Sequence, residues 1–316
     1  MNLARTHGAG PCLSALALAL THAACATSYS TPSQPEPPVS ATSSSAAASS
    51  PDPSRFVSQT SGAPAVEVRT TVTNAGISLT DLAFENGTGG QTDAYLLEPQ
   101  SGGSGAAIVW FHWLESGSPT SNRTEFLDEA TALAGRGVVS LLVQGTLPWS
   151  QPPTSVASDG QAVEAEVVMV HRALELLRGR ADVDPGRIAL VGHDFGGMYS
   201  ALAAGSDPGV AALAMLAPTA RWADWFVAYW QLEESDEAYA SGMASLDPVT
   251  WLPELAGRPV LLQVGSDDGY VPPDVVADLT AAIGGDADVR EYEAGHELND
   301  AARTDRATWL AEVLGL

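Results

Sequence analysis

Apolar and polar positions change rhythm along the chain, and the changes mark the elements. Over 66–73, 77–84 and 92–98 short β-rich runs are bounded by glycine-rich turns at 87–90 and 101–105, which predicts three strands. Ala106-Ala107-Ile108-Val109-Trp110-Phe111 is apolar throughout, as expected of a parallel strand covered on both faces. A helix is predicted over 123–136, a strand over 138–143 and a long helix over 159–180. In that helix Val163, Val167, Val170, Leu174 and Leu177 keep the 3–4 spacing of a buried face. A strand at 188–191 runs into a small-residue helical stretch at 197–204, and a strand at 210–216 follows. After a variable segment, 217–258, come a strand (259–264), a helix (273–283), a strand (288–292) and a helix (301–314). Such alternation predicts an α/β fold, a doubly wound and mostly parallel sheet with helices on both faces, in one domain over 55–316.

The first 54 residues follow a different pattern. An apolar run at 13–20, preceded by Arg5 and ending near Thr21-His22-Ala23-Ala24-Cys25, is too short to span a bilayer and reads as a signal peptide over 1–25. A cysteine after small residues resembles a bacterial lipoprotein box, so Cys25 is the expected lipidated N-terminus and membrane anchor, and the chain is expected to be exported. Residues 26–54, rich in Ser, Thr, Pro and Ala, read as a flexible tether. Both cysteines, Cys12 and Cys25, lie in this stretch, so no disulfide or thiolate metal site is expected in the domain. The chain is acidic, with a net charge of −24, and all 14 basic residues are arginine. That balance repels phosphate backbones and argues against nucleic acid as a partner, which leaves a small-molecule substrate. The histidines show no metal-ligand spacing, and no cofactor is implied.

Chemistry concentrates at three strand ends, where ligands sit in open α/β sheets. Gly192-His193-Asp194-Phe195-Gly196 joins a strand to a helix through a tight turn with a reactive side chain at its apex. Gly265-Ser266-Asp267-Asp268-Gly269-Tyr270-Val271-Pro272 follows the next strand but one, and Ala294-Gly295-His296-Glu297-Leu298 the last. Nucleophile, acid, histidine is the α/β-hydrolase order. Over most of 92–316 these segments resemble dienelactone-hydrolase-like α/β hydrolases, whose acid maps onto Asp268 and whose histidine maps onto His296. The departure is the apex, Asp194, where such enzymes carry Cys or Ser. There the Gly-His-Asp-aromatic-Gly-Gly elbow resembles epoxide hydrolases and haloalkane dehalogenases. Those relatives carry a large cap where this chain has only the short 217–258 insertion.

A carboxylate attacks an sp³ carbon well and a carbonyl poorly. The resemblance therefore implies an Asp194–His296–Asp268 triad acting through an alkyl ester on Asp194, on an epoxide rather than a haloalkane. Oxyanion donors are expected from the Phe195 N–H and from Trp113 or Leu114. His112, matching the family's His-Gly turn, together with Trp222, Trp225, Tyr229 and Tyr239 from the insertion, is expected around the substrate. Two other readings stay open: an esterase or lactonase in which Asp194 is a general base on water, and a lipid-anchored binding protein without turnover.

Overall fold

The computed structural model describes residues 50–316; the signal-peptide, Cys25 and most of the tether assignments lie outside the described residues. Among the described residues nine strands form one sheet in the order β1-β2-β3-β5-β4-β6-β7-β8-β9. The first three, β1 (Val66–Asn74), β2 (Ile77–Glu85) and β3 (Gln91–Pro99), make an antiparallel meander, and β3 joins β5 (Val139–Val143) antiparallel. From β5 through β4 (Ala107–Phe111), β6 (Ile188–His193), β7 (Ala212–Leu216), β8 (Val260–Gly265) and β9 (Ala287–Tyr292) every pairing is parallel.

The apolar runs are apolar throughout because both faces of these strands are covered. In β4, Ala107, Val109 and Phe111 enter one core and Ile108 and Trp110 the other. The period-two alternation of side chains sorts one continuous run into two cores. The first core takes the buried faces of α2 (Val156–Arg178), α3 (Phe195–Ser206) and α7 (Pro273–Ile283); the second takes α1 (Leu127–Ala134) and α8 (Asp300–Val313). Among the described residues no helix is long and apolar enough to cross a membrane.

Two helix starts differ from expectation by three residues or more. The helix expected over 123–136 is cut to α1, because residues 116–126 form turns in which the Asn122 side chain accepts from Thr124 N–H. The long helix begins three residues early, where the Ser155 hydroxyl accepts from Ser158 N–H as an N-cap. The 217–258 insertion holds α4 (Trp222–Tyr229), α5 (Asp236–Met243), α6 (Pro248–Trp251) and short 3₁₀ turns.

Candidate active site

At the end of β6 the chain reverses within a few residues, and Asp194 takes φ 56° and ψ −124°, a conformation that non-glycine residues rarely adopt. Neighbouring glycines make the turn possible. A Cβ on Gly192 would meet Gly196 O at 2.2 Å, and one on Gly196 would meet Phe111 O at 2.3 Å. The reversal is held by Asp194 N–H on Leu216 O (2.8 Å) and by Gly197 N–H on Asp194 O (3.0 Å). Asp194 is buried at the N-terminus of α3.

The loops after β8 and β9 bring the other two residues to it. Gly265 lets them cross, since a Cβ there would meet Ala294 O at 2.4 Å. Asp268 accepts from His296 Nδ1–H at 2.8 Å through Oδ2 and from Tyr270 N–H at 2.8 Å through Oδ1. His296 Nε2 lies 3.9 Å from Asp194 Oδ2, beyond hydrogen-bond distance. Burial acts to lower the His296 pKa, but the carboxylates of Asp194 and Asp268 outweigh it and push the ring up to about 10. The two acids thus favour the protonated form of the His296 ring.

The oxyanion turn corrects one expectation. Trp113 does not offer its N–H to the site, because that group donates to Glu125 Oε2 at 2.7 Å. The Trp113 carbonyl is held by His112 Nδ1–H (3.0 Å), Trp149 Nε1–H (2.8 Å) and the Ser121 hydroxyl (3.3 Å). A trans peptide points its C=O and N–H in opposite directions. Pinning that carbonyl therefore turns Leu114 N–H toward Asp194, where it donates to Oδ2 at 2.9 Å. The second expected donor, Phe195 N–H, is the first amide of α3 and has no acceptor within the helix. His112 is likewise corrected, from substrate contact to scaffold. It is buried, its Nε2 accepts from Gly145 N–H at 3.0 Å, and burial lowers its pKa to about 3, so it stays neutral with its proton on Nδ1.

The insertion divides between core and pocket. Trp222 is fully buried with Nε1–H on Leu246 O at 2.7 Å, and Tyr239 is fully buried with its hydroxyl on Asp159 Oδ2 at 2.7 Å. Neither lines the pocket: the Trp222 bond stays within the insertion while its ring packs on Tyr199, and the Tyr239 bond fastens the insertion to α2. Trp225 and Tyr229 do line it, with Leu114, Asp194, Phe195, Trp230, Tyr270 and His296. Six of these rings close a circuit of steeply inclined contacts: Phe195, Trp225, His296, Tyr270, Tyr229, Trp230 and back to Phe195, centroids 4.9–6.3 Å apart. Tyr229 is raised to about 12, first by burial and then by Tyr270, Asp268 and Asp194, so its hydroxyl keeps its proton. Arg221, at the start of α4, donates to Asp278 at 2.7 Å.

Sequence reasoning missed Tyr270, Trp149 and Glu125. Tyr270 had a signal, since it stands two residues after Asp268 in the same turn. The others act across the fold and leave no pattern in the chain.

The fold is the α/β-hydrolase fold. An acetyl xylan esterase from Thermoanaerobacterium sp. JW/SL YS485 superposes with TM-score 0.69 at 16% identity, over 85% of this chain and 96% of its own. An acetyl xylan esterase from Paenibacillus sp. R4 gives 0.64 at 18%, over 79% and 89%. A glucuronoyl esterase from Solibacter usitatus gives 0.58 at 12%, over 82% and 89%. These likenesses show the fold and lend nothing to the epoxide hydrolase and dehalogenase resemblance of the elbow. No protein-family model and no curated protein matches the sequence.

Proposed function

We propose that the protein is a hydrolase of small esters or lactones in which Asp194 acts as general base and His296, held by Asp268, as general acid. The observation that carries this reading is the geometry at the elbow: His296, held through Nδ1 by Asp268 at 2.8 Å, turns its Nε2 to the Asp194 carboxyl across 3.9 Å. Such a pair can supply a base and an acid side by side, and the neighbouring acids favour the protonated ring that the acid role needs. A water gives its proton to Asp194 as its oxygen bonds to the ester carbonyl carbon. Charge develops on the carbonyl oxygen, where Phe195 N–H donates, joined by Leu114 N–H as the protonated Asp194 becomes a weaker acceptor. The C–O bond to the alcohol breaks, and the departing oxygen takes the Nε2 proton of His296. The proton on Asp194 returns to His296, leaving acid and alcohol as products. The esterases among the structural neighbours support this chemistry. The narrow aromatic circuit favours a small substrate.

One observation favours a second reading, an alkyl ester on Asp194. Leu114 N–H already sits on Oδ2, where the carbonyl oxygen of such an ester would lie, and Oδ1 is left to attack. Turnover of a panel of short esters, lactones and epoxides in H₂¹⁸O separates the two. The general-base route puts label in the released acid and none in Asp194. The covalent route puts label in the Asp194 carboxyl, and His296→Gln would accumulate the adduct mass. A panel that is bound but never turned over would leave only a binding protein.

A further inference from the structure

Behind the Asp194–His296–Asp268 set lies a second hydrogen-bonded pair. Glu125, from the turns before α1, directs Oε1 at His193 Nδ1 (2.6 Å) and Oε2 at Trp113 N–H (2.7 Å). His193, the residue before the elbow apex, directs Nε2 at the backbone carbonyl of His296 (2.9 Å). A carbonyl only accepts, so Nε2 carries a hydrogen; the short Nδ1···carboxylate contact holds another proton between ring and acid. The Trp113 ring lies stacked on His193, with centroids 5.0 Å apart and an interplanar angle of 12°. His193 is 2% exposed and Glu125 14%.

The pair therefore touches both halves of the site from behind and the pocket from neither. Through Trp113 N–H it fixes the His112–Trp113 peptide, which adjoins the one that carries Leu114 N–H to Asp194. Through the His296 carbonyl it fixes the loop that carries the imidazole. His193 itself rides on β6, one residue from Asp194. We propose that Glu125 and His193 are positioning residues. They tie the oxyanion turn to the His296 loop, so that the Leu114 N–H, the Asp194 carboxylate and the His296 ring keep one spacing. The proposal deepens the hydrolytic reading above and rests on it for its rate effects only. Misplacement of about 1 Å at reacting groups costs on the order of 10²-fold in rate.

The test uses Glu125→Ala, Glu125→Gln, His193→Ala and the Glu125→Ala/His193→Ala double variant of the full chain. Two quantities are read: kcat and KM on the best ester of the panel, and amide hydrogen exchange in the peptides covering Trp113–Leu114 and His296. Glu125→Ala and His193→Ala are each expected to lower kcat on the order of 10²-fold. KM should stay within about threefold, because the bound substrate touches neither residue. The double variant should be no worse than the poorer single, as for residues that act as a unit. Glu125→Gln keeps an oxygen for Trp113 N–H and an N–H for a neutral His193 Nδ1, and it should recover most of the loss. Exchange should accelerate in both peptides in Glu125→Ala, although Glu125 touches only one of them. Wild-type kcat in Glu125→Ala, multiplicative losses in the double variant, a Glu125→Gln as poor as Glu125→Ala, or faster exchange confined to the Trp113–Leu114 peptide would each overturn the proposal. Should Glu125→Ala not fold, His193→Ala carries the same exchange test from the other side. A wild-type protein that hydrolyses nothing sinks the hydrolytic reading alone, and the exchange data still decide the tie.

Discussion

Asp194 occupies a backbone conformation that costs about 1–3 kcal/mol. That strain aims its carboxylate at two groups, Leu114 N–H and the His296 ring. The charge at this one position controls the state of its neighbour. Asp194→Asn removes one of the two carboxylates that hold His296 up, so the ring should titrate well below the value near 10. A ¹⁵N NMR titration of the imidazole measures this directly, and an unshifted ring would mean that Asp268 alone sets it. In the wild type, hydrolysis that needs the imidazolium should decline as pH rises through about 10, which a pH–kcat profile reads. Of the tyrosines in the insertion and its surroundings, Tyr229 and Tyr270 face this chemistry and Tyr239 does not.

At the scale of elements, the insertion is a fastened wall. Asp159 on α2 accepts from Thr154 N–H and from the Tyr239 hydroxyl of the insertion, and within the insertion Asp247 accepts from Trp222 N–H. Tyr239→Phe leaves a buried carboxylate short of a donor and should cost ~1–3 kcal/mol. That lowers Tm by roughly 2–4 °C per kcal/mol. Its kcat/KM should stay within about twofold, since the hydroxyl lies outside the pocket. A selective loss of kcat in this variant, at unchanged Tm, would return Tyr239 to the substrate. The same scale explains the aromatic pattern of α4: Trp222 and Phe226 turn into the core while Trp225 turns to the pocket with Nε1–H on Tyr270 O at 3.0 Å.

For the whole molecule, buried acids and net charge push stability the same way. Burial raises Glu166 to about 7 and Asp247 to about 8. Each keeps its proton longer in the folded chain than in the unfolded one. The stability it contributes is whole below the ordinary values of 4.5 and 3.8, and is lost as pH climbs through 7 and 8. His296, raised from 6.5, adds a loss of the same sign between 6.5 and about 10. Ionised carboxylates on a chain of net charge −24 repel one another as well. Tm should therefore fall by several degrees between pH 5 and pH 8, Glu166→Gln should flatten part of that slope, and salt should raise Tm most at pH 8. A Tm that rises over this range would show that the two acids do not titrate as their burial requires.

Much of this was written in local patterns. Strand–helix alternation, the glycines around Asp194 and the placement of Asp268 and His296 after their strands all depend on residues near one another in the chain. Periodicity and turn chemistry act over that distance, so the sequence alone determined the fold class and singled out three polar residues that the fold places together. What it left open depends on contacts between distant segments. Trp113 and Leu114 both carry an N–H; only the hold of Trp149, Ser121 and Glu125 on Trp113 decides which one reaches Asp194. Trp222 and Trp225 share a helix and a residue type, and packing alone separates core from pocket. His193 reads as a structural neighbour of the apex until Glu125, 68 residues away, is found at its ring. Direction and distance between segments belong to the tertiary structure, because no repeat or spacing along the chain encodes which way a peptide faces once its partners close on it.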